Sequence, residues 1–488
     1  MSNQVSTVGA ETSPSKEFFV NMLTRDIDLK DALLDLLDNC LDGIVRQSGG
    51  ELPANADKPY AGYHAEISVS EEHFEIIDNC GGIPFKVAKE SAFAMGRRVD
   101  SVTSKQGGAT IGMYGIGMKR AIFKMGKRAV VETLSESHFD VKIGNDWLTS
   151  KEWGELPINT SDDAEWKITN PGTRIKVTDL RPEVAQQFGS TTWFDDFRSE
   201  VARHYALIIA KGFDVYIGRP ETIKNDLKSA KVIPEYFSLI HRKKIGVEPI
   251  IYFGELDGVS FEVYAGLTSQ PLNKEELEAS SSDSTAKYRK NNSGWTISCN
   301  DRIVVWQDRT NLTGWGTGGV PSYHNQYTPI AGMVLLHSES PKDLPLTTTK
   351  RGIDASSKVY ARILDLMREA TKELIAFTNS YKNEESRKTI FDDAQPTKLS
   401  GLKAMKIALE ENKSFSTMRS ASTKGVQKYL KSYPKLKRNS DTTRISYVVP
   451  NADYALVDDF LGIEGASPRD IGFETFSRVL SSAEEFEE

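Results

Sequence analysis

The chain has 488 residues, 39% of them hydrophobic and 26% charged, and carries a net charge of −7; such a make-up belongs to two or three globular domains and excludes wholesale disorder. It holds no run of about 18 apolar residues, the minimum for a membrane span, and its start, MSNQVSTVGAETSPSKEFF, lacks the basic-then-apolar order of a signal peptide. The expectation is a cytoplasmic protein without membrane contact, whose nucleic-acid binding, if any, comes from a local basic patch. Cys40, Cys80 and Cys299 are far apart in sequence and odd in number, and seven scattered histidines show no ligand spacing, so structural metal and redox chemistry are not expected.

Residues 1–15 are Ser/Thr-rich and read as a flexible N-terminus. Over 16–190, helical runs alternate with short strands at 64–69, 74–77, 129–134 and 174–177, which predicts one α/β domain. Its segment 29–46, LKDALLDLLDNCLDGIVR, sets Leu29, Leu33, Leu36, Leu37, Leu41, Ile44 and Val45 at helical spacing. Asp35, Asn39, Asp42 and Arg46 follow at steps of four, three and four, one above another on a single stripe. Asp and Asn are poor residues for a helix interior. Either the stripe is a solvated face, or it offers a carboxylate to orient water and an amide oxygen to hold a hard cation such as magnesium.

The strand at 74–77 runs into Asp78-Asn-Cys-Gly81-Gly82-Ile83-Pro84, so a carboxylate stands where two glycines let backbone approach a flat ligand; a plain hairpin turn would look the same. Farther on, Gly107-Gly-Ala-Thr-Ile-Gly112-Met-Tyr114-Gly115-Ile116-Gly117-Met118-Lys119-Arg120 precedes an apolar run. A glycine-rich loop opening a helix presents N–H groups to phosphate. This loop has neither the Gly-Lys-Ser/Thr of a Walker A sequence nor the third glycine of a dinucleotide-binding fingerprint.

A second α+β domain is predicted over 191–378, with a helix at 193–210 and strands at 249–253, 260–265, 296–298, 303–306 and 333–337. An SSSDST-centred insertion fills 268–293, and a helix at 359–377 closes the domain. Residues 379–400 read as a linker before a C-terminal region, 401–488. Within 398–444 there are twelve Lys/Arg against three Asp/Glu, net +9; within 445–488 there are two against ten, net −8. Lys424, Lys428, Lys431, Lys435, Lys437 and Arg438 interleave with Tyr429 and Tyr433, either as a phosphate-binding surface for DNA or as a solvated face neutralised by the acidic tail.

Taken in order, these segments resemble the GHKL ATPase superfamily of gyrase-type topoisomerases, ninety-kilodalton heat-shock chaperones, histidine kinases and MutL. Its signatures are an acid-x-x-x-Asn helix, Asp-x-Gly-x-Gly after a strand, a glycine-rich lid and a late Gly-Thr, here Gly172-Thr173. The resemblance implies a Bergerat-type ATP-binding domain followed by a smaller transducer domain and a C-terminal extension. It implies ATP and Mg2+ as ligands, with Asn39 holding the metal, Asp78 reading the adenine amino group and Thr173 beside it. Gly82 and Ile83 would line the base, and Gly112, Tyr114, Gly115, Ile116, Gly117, Met118 and Lys119 the phosphates. Asp35 would activate the attacking water and Lys350, in the Leu346-Thr-Thr-Thr-Lys350-Arg351 loop, would touch the terminal phosphate.

Two positions depart from the pattern. The usual Glu is Asp35, one methylene shorter, and a displacement of about 1 Å can cost roughly a hundredfold in rate, so slow hydrolysis is expected. Cys80 replaces the first glycine of Asp-x-Gly-x-Gly. No phosphoacceptor helix, toprim region or MutL-type linker is legible, which leaves the compact prokaryotic MORC-like proteins, many of them found beside restriction or phage-defence components. Their likeness implies a homodimer closed by ATP that controls a protein effector or engages DNA through 398–444; the alternative is an ATP-dependent chaperone or scaffold acting on proteins alone.

Overall fold

The computed structural model describes residues 15–49, 57–94, 116–150, 155–160, 165–242, 247–272, 293–347, 352–381, 391, 394–419, 424–430, 433, 445–463 and 466–487. The chain is a mixed α/β protein with two seven-stranded mixed sheets and a two-stranded one among these residues. It divides into two units, Met1–Pro434 and Lys435–Glu488.

In the first sheet the strands lie in the order Ile158–Asn159, His138–Ile143, Gly126–Leu134, Gly172–Leu180, Phe74–Asp78, His64–Val69 and Asp214–Gly218. Neighbours are antiparallel except the last pair, which is parallel. Against the sheet packs the Leu29–Gln47 helix, capped by the Asp28 side chain, which accepts from the Lys30 N–H at 2.8 Å. Its Leu33, Leu37, Leu41 and Ile44 share one core with Ile67, Ile76, Val131 and Val177.

The core reaches past residue 190, where a domain boundary is expected. Phe197 and Val201 of the Thr191–His204 helix belong to it, as do Val215 and Ile217 of the following strand. Thr191–His204 lies in the helical connection from Gly172–Leu180 to Asp214–Gly218.

The second sheet runs Arg302–Asp308, Gly294–Cys299, Ile330–His337, Val259–Leu267, Ile250–Leu256, Gln427–Tyr429 and Ser416–Thr417. Ile363, Met367, Ala370 and Leu374 of the Lys358–Ser380 helix are buried. The Trp295 indole donates to Thr371 Oγ1 at 3.1 Å in the interior.

The supposed linker at 379–400 begins as the last turn of that helix and ends as a strand, Gln395–Lys398, paired antiparallel with Ser238–His241. The Leu399–Glu411 helix buries Leu402 against Leu239, Ile251 and Tyr264, and Gln427–Tyr429 extends the second sheet beside Ile251–Phe253. Much of the basic segment is therefore part of the first unit. In the second unit, Asn451–Leu461 and Pro468–Glu487 are helices that bury Leu461 and Ile471 and leave Leu456, Phe460, Phe473, Phe476 and Val479 exposed. No helix among the described residues is long and apolar enough to cross a membrane.

Candidate functional site

Four sequence segments meet along the Leu29–Gln47 helix. Phe74–Asp78 ends with the half-buried Asp78, whose Oδ1 accepts the Cys80 N–H at 2.8 Å. Burial raises the Asp78 carboxyl above the ordinary carboxylate range, while the N–H groups of Cys80 and Thr173 and the Cys40 thiol pull it back. The Cys40 thiol, on the helix, lies 3.6 Å from Asp78 Oδ2. A carboxylate so placed is an acceptor fixed by backbone.

The loop after Asp78 is held from three sides. Arg46 donates to the Gly82 carbonyl at 2.7 Å, and the Ile83 N–H donates to Thr133 Oγ1 at 2.8 Å. Thr133 in turn donates to the Gly172 carbonyl at 3.0 Å, next to Thr173. Two glycines are required by this packing. Gly82 has φ +69°, and a Cβ there would stand 2.0 Å from the Leu134 carbonyl oxygen; one on Gly172 would stand 1.9 Å from that of Asp78. Burial lowers the Arg46 pKa, against the raising fields of Asp42, Asp78 and Cys80.

At the other end of the stripe, the buried Asp35 pairs with Arg120 of the Gly117–Met125 helix. Asn39, one turn on, is exposed. Ile116, Gly117 and Met118 are partly buried at the start of the Gly117–Met125 helix, and Met118 packs on the core. Lys119, expected at the phosphates, is buried here. It shares the inner face of its helix with Ile122 and Phe123, is 2% exposed, and donates to the carbonyls of Ala92 and Ala94 at 2.8 and 2.6 Å. Burial lowers its pKa to about 8. Gly112, Tyr114, Gly115 and Lys350 lie outside the described residues, as do 1–14 and most of the 268–293 insertion.

A residue that the sequence reading passed over completes the helix. Asp38, wholly buried, accepts from the Tyr205 hydroxyl at 2.6 Å and from Arg302 Nε at 3.0 Å. Arg302 follows the Asn300–Asp301 turn of the second sheet, where both residues have positive φ. Burial opposes the Arg302 charge, but Tyr205 and Asp38 outweigh it and raise its pKa. Asp301 is gripped by Lys211 at 2.6 and 2.5 Å and reached by the Tyr60 hydroxyl at 3.3 Å. The second sheet thus sets a charged hairpin against Asp38, one turn from Asp35 on the same helix.

A cleft of about 260 Å³ opens beside this loop, lined by Gly43, Arg46, Gln47, Gly81, Pro84, Ser135 and Pro171. A larger one of about 730 Å³, between the Lys16–Arg25 helix and residues 181–187, contains none of the candidate residues. No protein-family model matches the chain, and no curated protein matches it.

Proposed function

We propose that the chain is a slowly hydrolysing, Mg-dependent ATPase of the GHKL type, in which nucleotide binding closes a homodimer. The observation that supports this most is the convergence of Asp35, Asn39, Asp78, Gly82 and Thr173 along one helix from segments spread over the first sheet. Asp78, fixed by backbone N–H groups, offers an exocyclic amine a strong acceptor, and the glycines at 82 and 172 let neighbouring backbone close around it.

Asn39 supplies an exposed amide oxygen one turn from the Asp35 carboxylate, a hard-oxygen set that suits magnesium alongside phosphate. Magnesium bound there would offset phosphate charge. Asp35 is paired with Arg120, and guanidinium also binds phosphate well. A triphosphate competes for Arg120, and the carboxylate so released accepts a proton from water. Slow turnover follows from needing that exchange and from the short Asp side chain.

The effector is better read as a protein than as DNA. Lys428 pairs with Glu369, the Tyr429 hydroxyl donates to Glu248, and Tyr433 stacks on Phe377 at 4.5 Å, so part of the basic, aromatic run is turned to packing. Exposed Phe460, Phe473 and Phe476 in the acidic second unit suit an apolar protein partner. Titration of the full chain with Mg-ATP, followed by phosphate release and light scattering with a non-hydrolysable analogue, tests binding, turnover and dimer closure in turn. Absence of binding rejects the whole reading.

A further inference from the structure

Cys40 and Cys80 are forty residues apart, yet the fold brings both thiols to Asp78. One donor atom from each of the three side chains lies within 4.8 Å of the others. We propose that Cys40, Asp78 and Cys80 form a site for a single thiophilic divalent cation of the zinc class, with water as the fourth ligand. This does not rest on the ATPase reading.

One donor pair already stands at the spacing a tetrahedral zinc site requires. Zinc binds thiolate sulfur at about 2.3 Å and carboxylate oxygen at about 2.0–2.2 Å, so tetrahedral angles place sulfur and oxygen about 3.6 Å apart. Cys40 Sγ and Asp78 Oδ2 are separated by 3.6 Å. Two sulfurs and one oxygen select a soft or borderline ion over magnesium.

The surroundings orient the donors. The Cys80 N–H, at 2.8 Å, and the Thr173 N–H fix the Asp78 carboxylate, as outer-shell donors do for metal-ligating carboxylates. Charge also balances. A divalent cation with two thiolates and one carboxylate leaves one negative charge, and the Arg46 guanidinium, whose field reaches both Asp78 and Cys80, offsets it.

Without metal the thiols hold their protons. Cys40 Sγ donates to the Leu36 carbonyl at 3.4 Å, and Cys80 Sγ lies 3.9 Å from the His64 carbonyl. For Cys40 the hydrogen bond with Cys80 and burial raise the thiol pKa; for Cys80 burial leads. Cysteine ligates as thiolate, so binding an ion here expels both thiol protons. Small buried cysteines also occur simply as packing residues. Cys299, buried in the second sheet and outside this cluster, provides the contrast within the same chain.

The test uses reduced full-length protein without nucleotide, titrated with cobalt(II) and with zinc alone. The expected result is one equivalent bound, a thiolate-to-cobalt absorption band, and release of about two protons per ion. Cys40→Ser and Cys80→Ser should each weaken zinc binding by more than the roughly 10–100-fold that loss of an outer-shell partner costs; Cys299→Ser should bind as wild type. X-ray absorption on zinc-loaded wild type, which needs no variant to fold, should show two sulfur ligands. A zinc shell without sulfur, or a cobalt band retained in both Cys40→Ser and Cys80→Ser, overturns the site. A separate ATP titration of metal-free protein keeps failure here distinct from failure of the nucleotide reading.

Discussion

The two ends of the candidate site are held in different ways. Asp78 is fixed by main chain: two N–H donors, a glycine whose Cβ would collide with its carbonyl, and Thr133 bridging the loops beside it. Asp35 is paired with one guanidinium on a neighbouring helix. Recognition of a flat base needs a surface that does not move, whereas a group that acts only when water attacks can be kept in reserve by a side-chain pair and released by a competing anion. The contrast separates what should hurt binding from what should hurt turnover.

The sharpest separation comes from Asp35→Asn. Loss of a general base lowers turnover by about 10²–10⁴-fold, measured as phosphate release, while calorimetric affinity for Mg-ATP is no weaker than that of wild type, because Arg120 is freed from its carboxylate. Normal hydrolysis by this variant would move the base elsewhere.

The flank of the same helix is probed through Asp38. Breaking a buried ion pair by removing one partner costs about 3–5 kcal/mol, so Asp38→Ala or Arg302→Met should lower denaturant stability by that order. The double replacement Asp38→Leu with Arg302→Met should recover much of the loss. Equal losses in single and double variants would show that the pair does not couple the second sheet to the helix.

Lys119 gives a pH signature. Its folded-state pKa, about 8, lies below the 10.5 of a free lysine, so the unfolded chain binds more protons between these values and stability rises with pH through that window. Relative to Lys119→Met, the wild type should gain about 3 kcal/mol from pH 8 to 10.5. A flat difference would place the ammonium in solvent or on a phosphate-facing path.

Helix and strand positions were widely legible because apolar periodicity marks them. The strand at 64–69 is found with those bounds, and the helix read at 29–46 ends one residue later. Domain limits were less legible. Asp214–Gly218, Gln395–Lys398 and Gln427–Tyr429 are short, and what recruits them is backbone pairing to strands far away in sequence, which leaves little pattern. Asp38 did leave a signal: it sits four residues after Leu34 and three before Leu41, on the apolar face, where a carboxylate demands a partner. The meeting of Cys40 with Cys80 left none, since only the packing of helix on strand end brings them together. The burial of Lys119 was not legible, because a loop motif says nothing of which face of the next helix turns inward.

The account stands or falls on Asp78. Isothermal titration of Mg-ATP into wild type and Asp78→Asn should show saturable binding in the first and a loss of at least about 10–100-fold in the second, the worth of a hydrogen bond to a charged acceptor. Equal affinity of the two proteins would contradict the assignment of this site to the adenine base.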